Sequence, residues 1–243
     1  MKAIPIDLLL FEQLAYYRAG AREYDTGNRS LLGASSGAPW EETYRRGHSD
    51  AVATIEAFSA GKDVLELAGG TGMYTELLLR CAKQVTVVDA SPESLEINRS
   101  TFGKAAANVE YVQADIFEWR PARRYEVIVF AFWLCHVPLA QFDSFWRMIE
   151  QALVSGGTVV FVDARAEDAA ADTVQAAGTP EIFVEERIND EISVRKLADG
   201  RRFRIIRVLW ESSALQSRLK NLGWCVRICD QSPWLIGSAS RAR

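Results

Sequence analysis

No run of about 18 apolar residues occurs in the 243-residue sequence, which leaves nothing to cross a membrane as a helix. The apolar patch Ile4 to Phe11 is broken by Pro5 and Asp7 and is not followed by a small-residue cleavage site. Histidine is scarce, with only His48 and His136, and the four cysteines (Cys81, Cys135, Cys225, Cys229) are scattered without a C-x-x-C pair. Those spacings argue against structural zinc and leave reduced, buried thiols as the default. Basic excess is also missing: a net charge of −4 opposes a nucleic-acid or anionic-membrane footprint over the whole surface. No Gly-Lys-Ser or Gly-Lys-Thr occurs, so a P-loop is excluded. Repeats, low-complexity tracts and an inter-domain linker are absent too. The expectation is one cytoplasmic domain over residues 1–243, monomeric or homodimeric, with neither nucleic acid, membrane nor metal among its partners.

What is present is a pattern of alternating strand and helix signals. Ile6 to Gly20 has helical spacing at Leu10, Leu14 and Tyr17 and leads into Ala21 to Asp25, whereas Thr26 to Pro39 reads as a loop. Glu41 to Ser59 is expected to be a helix. Strands follow at Asp63 to Ala68, Val85 to Val88, Val109 to Gln113, Val127 to Ala131 and Thr158 to Val162, with helices at Gly72 to Cys81 and Pro92 to Phe102. Phe142, Phe145, Trp146, Ile149 and Leu153 form the apolar stripe of a further helix, ended by Gly156-Gly157. Ala164 to Thr179 has no strong period. Glu191 to Leu197 and Phe203 to Trp210 flank Asp199-Gly200 as a hairpin. A last helix carries Leu215, Leu219 and Leu222, capped by Ser212 or Ser213 and ended by Gly223, and Trp224 to Ile236 closes the sheet. Regular alternation predicts a parallel, doubly wound α/β sheet.

The chemistry is concentrated at the carboxyl ends of those strands, where open α/β sheets bind ligands. Glu66-Leu67-Ala68-Gly69-Gly70-Thr71-Gly72 is an apolar strand running into a glycine-rich turn and a helix, and Asp89 ends the neighbouring strand in position to hold ribose hydroxyls. A dinucleotide fingerprint needs a third glycine, but that position is Thr75. The spacing resembles motif I of the class I S-adenosylmethionine-dependent methyltransferases, with Ala68 where glycine is commoner. On that resemblance, Glu66, Ala68, Gly70 and Gly72 cradle the cofactor, Asp89 and Ala90 meet its ribose, Asp115 its adenine amino group, and Ile116 packs on the adenine. Phe132 lies beside it at the end of strand four. Tyr16-Tyr17-x-x-x-Ala21-x-Glu23-Tyr24-Asp25 resembles the segment that lids the cofactor in many bacterial small-molecule methyltransferases, so Tyr17 and Tyr24 are expected to face cofactor or acceptor. Together with Phe132-Trp133-Leu134-x-His136-Val137-Pro138, Asp199-Gly200-Arg201-x-Phe203-Arg204-Ile205 and Leu222-Gly223-Trp224, it resembles the group that includes the phosphonate O-methyltransferase of dehydrophos biosynthesis. This implies a Rossmann-like, doubly wound seven-stranded sheet, mostly parallel with an antiparallel C-terminal strand, an N-terminal helical lid (1–47) and a substrate-side excursion (164–200).

Two acceptor-side readings stay open. His136 is either a general base or a hydrogen-bonding wall residue. Arg207 shares strand parity with Phe203, Ile205 and Leu209, so it is a candidate buried charge that meets either an acceptor anion, with Arg195 as second arm, or a protein acid such as Asp163. The expected function is methyl transfer from S-adenosyl-L-methionine to O or N of a small metabolite, an anionic one included, in specialised biosynthesis. The rivals are an NAD(P)-dependent oxidoreductase, a non-catalytic S-adenosylmethionine-binding protein and a protein methyltransferase.

Overall fold

The computed structural model describes residues 4–33, 39–165, 185–229 and 232–241. Its helices are α1 (Ile6–Gly33), α2 (Pro39–Ser59), α3 (Thr75–Cys81), α4 (Pro92–Phe102), α5 (Phe142–Ala152) and α6 (Ser212–Asn221). Its strands are β1 (Asp63–Leu67), β2 (Gln84–Asp89), β3 (Val109–Gln113), β4 (Tyr125–Ala131), β5 (Leu153–Ala164), β6 (Glu185–Arg187), β7 (Ile192–Lys196), β8 (Arg202–Ile206), β9 (Trp224–Ile228) and β10 (Trp234–Arg241). Seven strands form one sheet in the order β3-β2-β1-β4-β5-β10-β9. Pairing is parallel from β3 to β5, and β10 runs antiparallel to both of its neighbours.

Both faces of the sheet are buried at the central strands β1, β2, β4 and β5, which is why these read as unbroken apolar runs, whereas the edge strands β3 and β9 are partly exposed. Leu65, Ile128, Phe130 and Phe161 face α5, whose Phe142, Phe145, Trp146 and Ile149 pack on them as the stripe predicts. Val64, Val85, Val87, Val127, Val129 and Val160 face the other way, onto Ile55 of α2 and Leu78 of α3.

Several expectations need correction. The loop expected from Thr26 is helix as far as Gly33, and Thr26 Oγ1 donates to the Arg22 carbonyl (3.0 Å), satisfying its hydroxyl within α1. Residues 34–38 lie outside the described ones. Helix α3 starts at Thr75, because Gly72 at φ 101° still belongs to the turn, its N–H bonded to the Gly69 carbonyl (3.1 Å). Gly156 and Gly157 do not end α5, which stops at Ala152; they lie inside β5, at a register shift against β4 between Tyr125 and Val127. A Cβ on Gly157 would sit 3.0 Å from the Glu126 carbonyl oxygen, so the bulge requires glycine there. The cap of α6 is Glu211 and neither serine, whereas Gly223 ends that helix at φ 82° as expected. The hairpin forms across Asp199-Gly200, but β6 adds a third strand, and β8 stops at Ile206. Arg207 therefore lies beyond the strand whose parity was to place it, and Val208 N–H already donates to the Cys135 carbonyl (2.7 Å). Of the excursion at 164–200, residues 166–184 lie outside the described ones.

Candidate active site

The turn after β1 is held by a buried polar network. Thr75 Oγ1 donates to Glu66 Oε2 (2.6 Å), Asn98 Nδ2 donates to Thr75 Oγ1 (2.9 Å), and Tyr111 Oη donates to Asn98 Oδ1 (2.9 Å). Burial pushes the Glu66 carboxyl up to about 8, with the negative charge of Asp89 adding to the effect and the Thr75 bond opposing it. Above this network the chain takes left-handed conformations at Ala68 (φ 52°) and Gly70 (φ 54°). Phe132, at the end of β4, has φ 52° as well. Such values are costly for non-glycine residues and cluster at functional sites.

The glycines of the turn have different tasks. A Cβ on Gly69 would lie 2.5 Å from Val87 Cγ1, and one on Gly72 would lie 2.7 Å from Phe102 Cε2, so these two allow packing against the sheet and α4. A Cβ on Gly70 would meet only the Ala68 carbonyl oxygen, at 3.9 Å, leaving that backbone open for a ligand to approach. Gly70 N–H donates to Asp89 Oδ2 (2.9 Å), and Ser91 N–H donates to Asp89 Oδ1 (2.8 Å). These bonds pull the Asp89 carboxyl down, but burial outweighs them and its pKa is raised.

A cavity of about 480 Å³ lies over these strand ends, within the range of small-molecule sites. It brings together Tyr17, Tyr24, Ala68, Gly70, Asp89, Ala90, Asp115, Ile116, Phe132 and His136. Glu66 borders a smaller adjoining chamber with Tyr74, and Gly72 borders neither space. Arg195 and Arg207 are also absent from the described lining. Asp115 is exposed, its Oδ1 accepting from Phe117 N–H (2.9 Å).

One face of α1, through Asp7, Leu10, Leu14, Tyr17, Ala21 and Tyr24, covers the cavity. Arg18 pairs with Glu93 at the start of α4 (2.9 Å), and Glu12 pairs with Arg204 of β8. Sequence reasoning missed Gln13 and Trp133 as lining residues; Gln13 lies next to Leu14 of the helical stripe, but its polarity hid its inward direction. Gln13 Oε1 accepts from Ile206 N–H (3.0 Å), and Nε2 donates to the His136 carbonyl (3.4 Å).

His136 is 3% exposed. Its Nδ1 is 2.6 Å from the Ile206 carbonyl oxygen and its Nε2 is 2.6 Å from Tyr17 Oη. Burial, and then the charges of Arg207 and Arg195, hold the imidazole pKa well below its usual value, so the ring is neutral at pH 7. Burial likewise keeps the Tyr17 phenol protonated. Behind this pair, Arg207 Nη1 is 3.8 Å from Asp163 Oδ1 and 2.8 Å from Cys135 Sγ. Arg195 lies over the Tyr16 ring, 5.9 Å from its centroid. Among the described residues no His/Cys/Asp/Glu group could hold a metal, and no helix is long and apolar enough to cross a membrane.

A family model described as a methyltransferase domain matches residues 64–157. Among curated proteins, a malonyl-[acyl-carrier protein] O-methyltransferase of Paenibacillus sp. (strain JDR-2) is 32% identical over 124 residues, 46% of this chain and 43% of that protein. Nodulation protein S of Bradyrhizobium diazoefficiens is 28% identical over 104 residues, 42% of this chain and 49% of that protein. The chain thus spans less than half the length of these two relatives. Among solved structures, a DhpI–SAM–HEP complex is 33% identical with a TM-score of 0.74, covering 97% of this chain and 98% of that one. The DhpI–SAH complex is 31% identical with a TM-score of 0.75 over the same shares. The glycopeptide N-methyltransferase MtfA, at 18% identity and a TM-score of 0.58, shares the fold.

Proposed function

The chain belongs to the class I S-adenosylmethionine-dependent methyltransferases, and from that premise we propose that it methylates an oxygen or nitrogen of a small metabolite in specialised biosynthesis. The observation that carries this reading is one cavity lined by Gly70 and Asp89 together with Tyr17 and His136, and covered by one face of α1. Its fit to the cofactor rests on the open backbone at Gly70 and the partly engaged carboxylate of Asp89. In this reading Asp89 and Ala90 hold the ribose, Asp115 and Ile116 the adenine, and Ala68, Gly70, Phe132 and Tyr24 surround the methionine end, with Glu66 behind them. Gly72 contributes by letting α4 pack close.

S-adenosylmethionine supplies an electrophilic methyl group, so the protein's tasks are to align the acceptor and exclude water. Helix α1 serves as the lid, anchored by Arg18 and Glu12. Arg195 and Arg207 act through their field, which reaches His136 and favours an acceptor bearing negative charge elsewhere in the molecule. A cytoplasmic setting belongs to the same reading, resting on four unpaired thiols.

The test is release of S-adenosylhomocysteine from the purified protein incubated with S-adenosylmethionine and a panel of small acids, phenols and amines. Acceptor-dependent release, abolished in Asp89→Ala, supports the proposal. Methylation of added proteins alone would replace it with the protein-methyltransferase alternative.

A further inference from the structure

Tyr17 and His136 together restrict what kind of atom can receive the methyl group. The Ile206 carbonyl has no proton to give, so the hydrogen in the 2.6 Å contact with His136 belongs to Nδ1. In a neutral ring Nε2 is then an acceptor, and the 2.6 Å contact with Tyr17 Oη is a bond donated by the phenol. Because that hydrogen is engaged, Tyr17 turns only oxygen lone pairs toward the cavity that both residues line.

Neither bond reverses easily. Turning the Tyr17 hydrogen to a ligand would leave Nε2 an acceptor without a donor in a ring that is 3% exposed, which is unfavourable for a buried polar atom. Moving the ring hydrogen to Nε2 would set the Nδ1 lone pair against the Ile206 carbonyl. That carbonyl is fixed in turn, since Arg207 N–H of the same peptide unit donates to the Glu191 carbonyl (2.7 Å), and Gln13, one turn before Tyr17 on α1, ties Ile206 N–H (3.0 Å) to the His136 carbonyl (3.4 Å).

We propose that Tyr17 is a catalytic residue that orients the acceptor, that His136 and Gln13 are positioning residues for it, and that the methylated atom is a protonated nucleophile, a hydroxyl or an amine. A bare carboxylate or phosphate-type oxygen would face the Tyr17 lone pairs without a hydrogen between them. This rests on the small-molecule reading above and names its substrate class. The nucleophile's lone pair forms the new bond to the methyl carbon as the carbon–sulfur bond breaks, its electron pair going to sulfur. The nucleophile's proton passes to Tyr17 Oη while the phenol proton passes to His136 Nε2. Burial and the charges of Arg195 and Arg207 disfavour an imidazolium, so this transfer is late and the proton returns through Tyr17 to water once product leaves.

The chain has two histidines, so imidazole ¹⁵N spectra of the full chain bound to S-adenosylhomocysteine can be assigned with His48→Gln. The expected spectrum shows neutral His136 with its hydrogen on Nδ1, and a shifted Nε2 signal in Tyr17→Phe. A hydrogen on Nε2, or an Nε2 signal unmoved by Tyr17→Phe, would overturn the proposal. Glycine and 4-hydroxybenzoate each offer a protic group beside a carboxylate. Transfer to nitrogen or phenol oxygen, with kcat down about 100-fold in Tyr17→Phe and KM little changed, supports it; methyl esters, or unchanged kcat in that variant, overturn it. Calorimetric binding of S-adenosylhomocysteine, expected to be the same in both proteins, separates this failure from failure of the cofactor site.

Discussion

Replacing Glu66 by Gln should make the protein more stable in mild alkali, although it alters a buried residue beside the cavity. Glu66 is 4% exposed, and burial raises its carboxyl from an ordinary 4.5 to about 8, aided by Asp89. The folded state therefore favours the neutral acid, a preference fully effective below pH 4.5 and lost as pH rises through about 8. Across that window unfolding releases a proton, and stability falls by about 1.4 kcal/mol per pH unit. At pH 8.5 the accumulated loss is about 5 kcal/mol, and it is expected to disappear in Glu66→Gln. The amide carbonyl can still accept from Thr75 Oγ1, which now donates to Glu66 across 2.6 Å. Urea unfolding at intervals from pH 5 to 8.5, at fixed ionic strength, measures both proteins. The curves should agree within about 1 kcal/mol at pH 5 and diverge steadily above it. Parallel curves over the whole range would refute the reasoning, because they would mean that Glu66 ionises in the fold as readily as in the unfolded chain.

The glycine turn yields paired expectations. Ala68→Gly relieves a left-handed residue (φ 52°) and should raise stability by about 0.5–1 kcal/mol in thermal unfolding. Gly69→Ala drives a methyl to within 2.5 Å of Val87 Cγ1 and should cost about 1–3 kcal/mol, largely restored by Val87→Ala in a double mutant. Gly70→Ala has space for its methyl but must hold φ 54° and fills the ligand's approach, so affinity for S-adenosylhomocysteine should fall about 10-fold, with some loss of stability, while the sheet stays intact by circular dichroism. Arg207→Met leaves Asp163, 2% exposed, without its cation; a loss of about 3 kcal/mol is expected, recovered in part by adding Asp163→Asn.

Much of the sheet was legible because a parallel sheet covered on both faces leaves apolar runs whose ends can be read directly. Residues 92–102 and 109–113 were placed to the residue, since Ser91-Pro92 starts α4 and Gly103 ends it. Local chemistry misled where distant contacts decide. The polar stretch from Thr26 carries loop residues yet is helical to Gly33, and Gly156-Gly157 carries a helix-end signal yet forms a bulge against Glu126. At the site, the residues around Gly70 and Asp89 follow from motif spacing alone. The bond between Tyr17 and His136 spans 119 residues, and that between Gln13 and Ile206 spans 193. Neither pairing leaves a periodic trace in the sequence. Arg207 was recognised as a buried charge, but its placement assumed a strand longer than β8, and only the fold sets Asp163 and Cys135 beside it.

The central claim is that this cavity binds S-adenosylmethionine through Asp89, and calorimetric titration of the purified chain tests it most directly. S-adenosylmethionine and S-adenosylhomocysteine should each bind once per chain, with affinity falling at least about 100-fold in Asp89→Ala, while NAD and NADP do not bind. Heat from NAD or NADP alone, or binding of the adenosyl-sulfur compounds that Asp89→Ala leaves unchanged, would contradict the account.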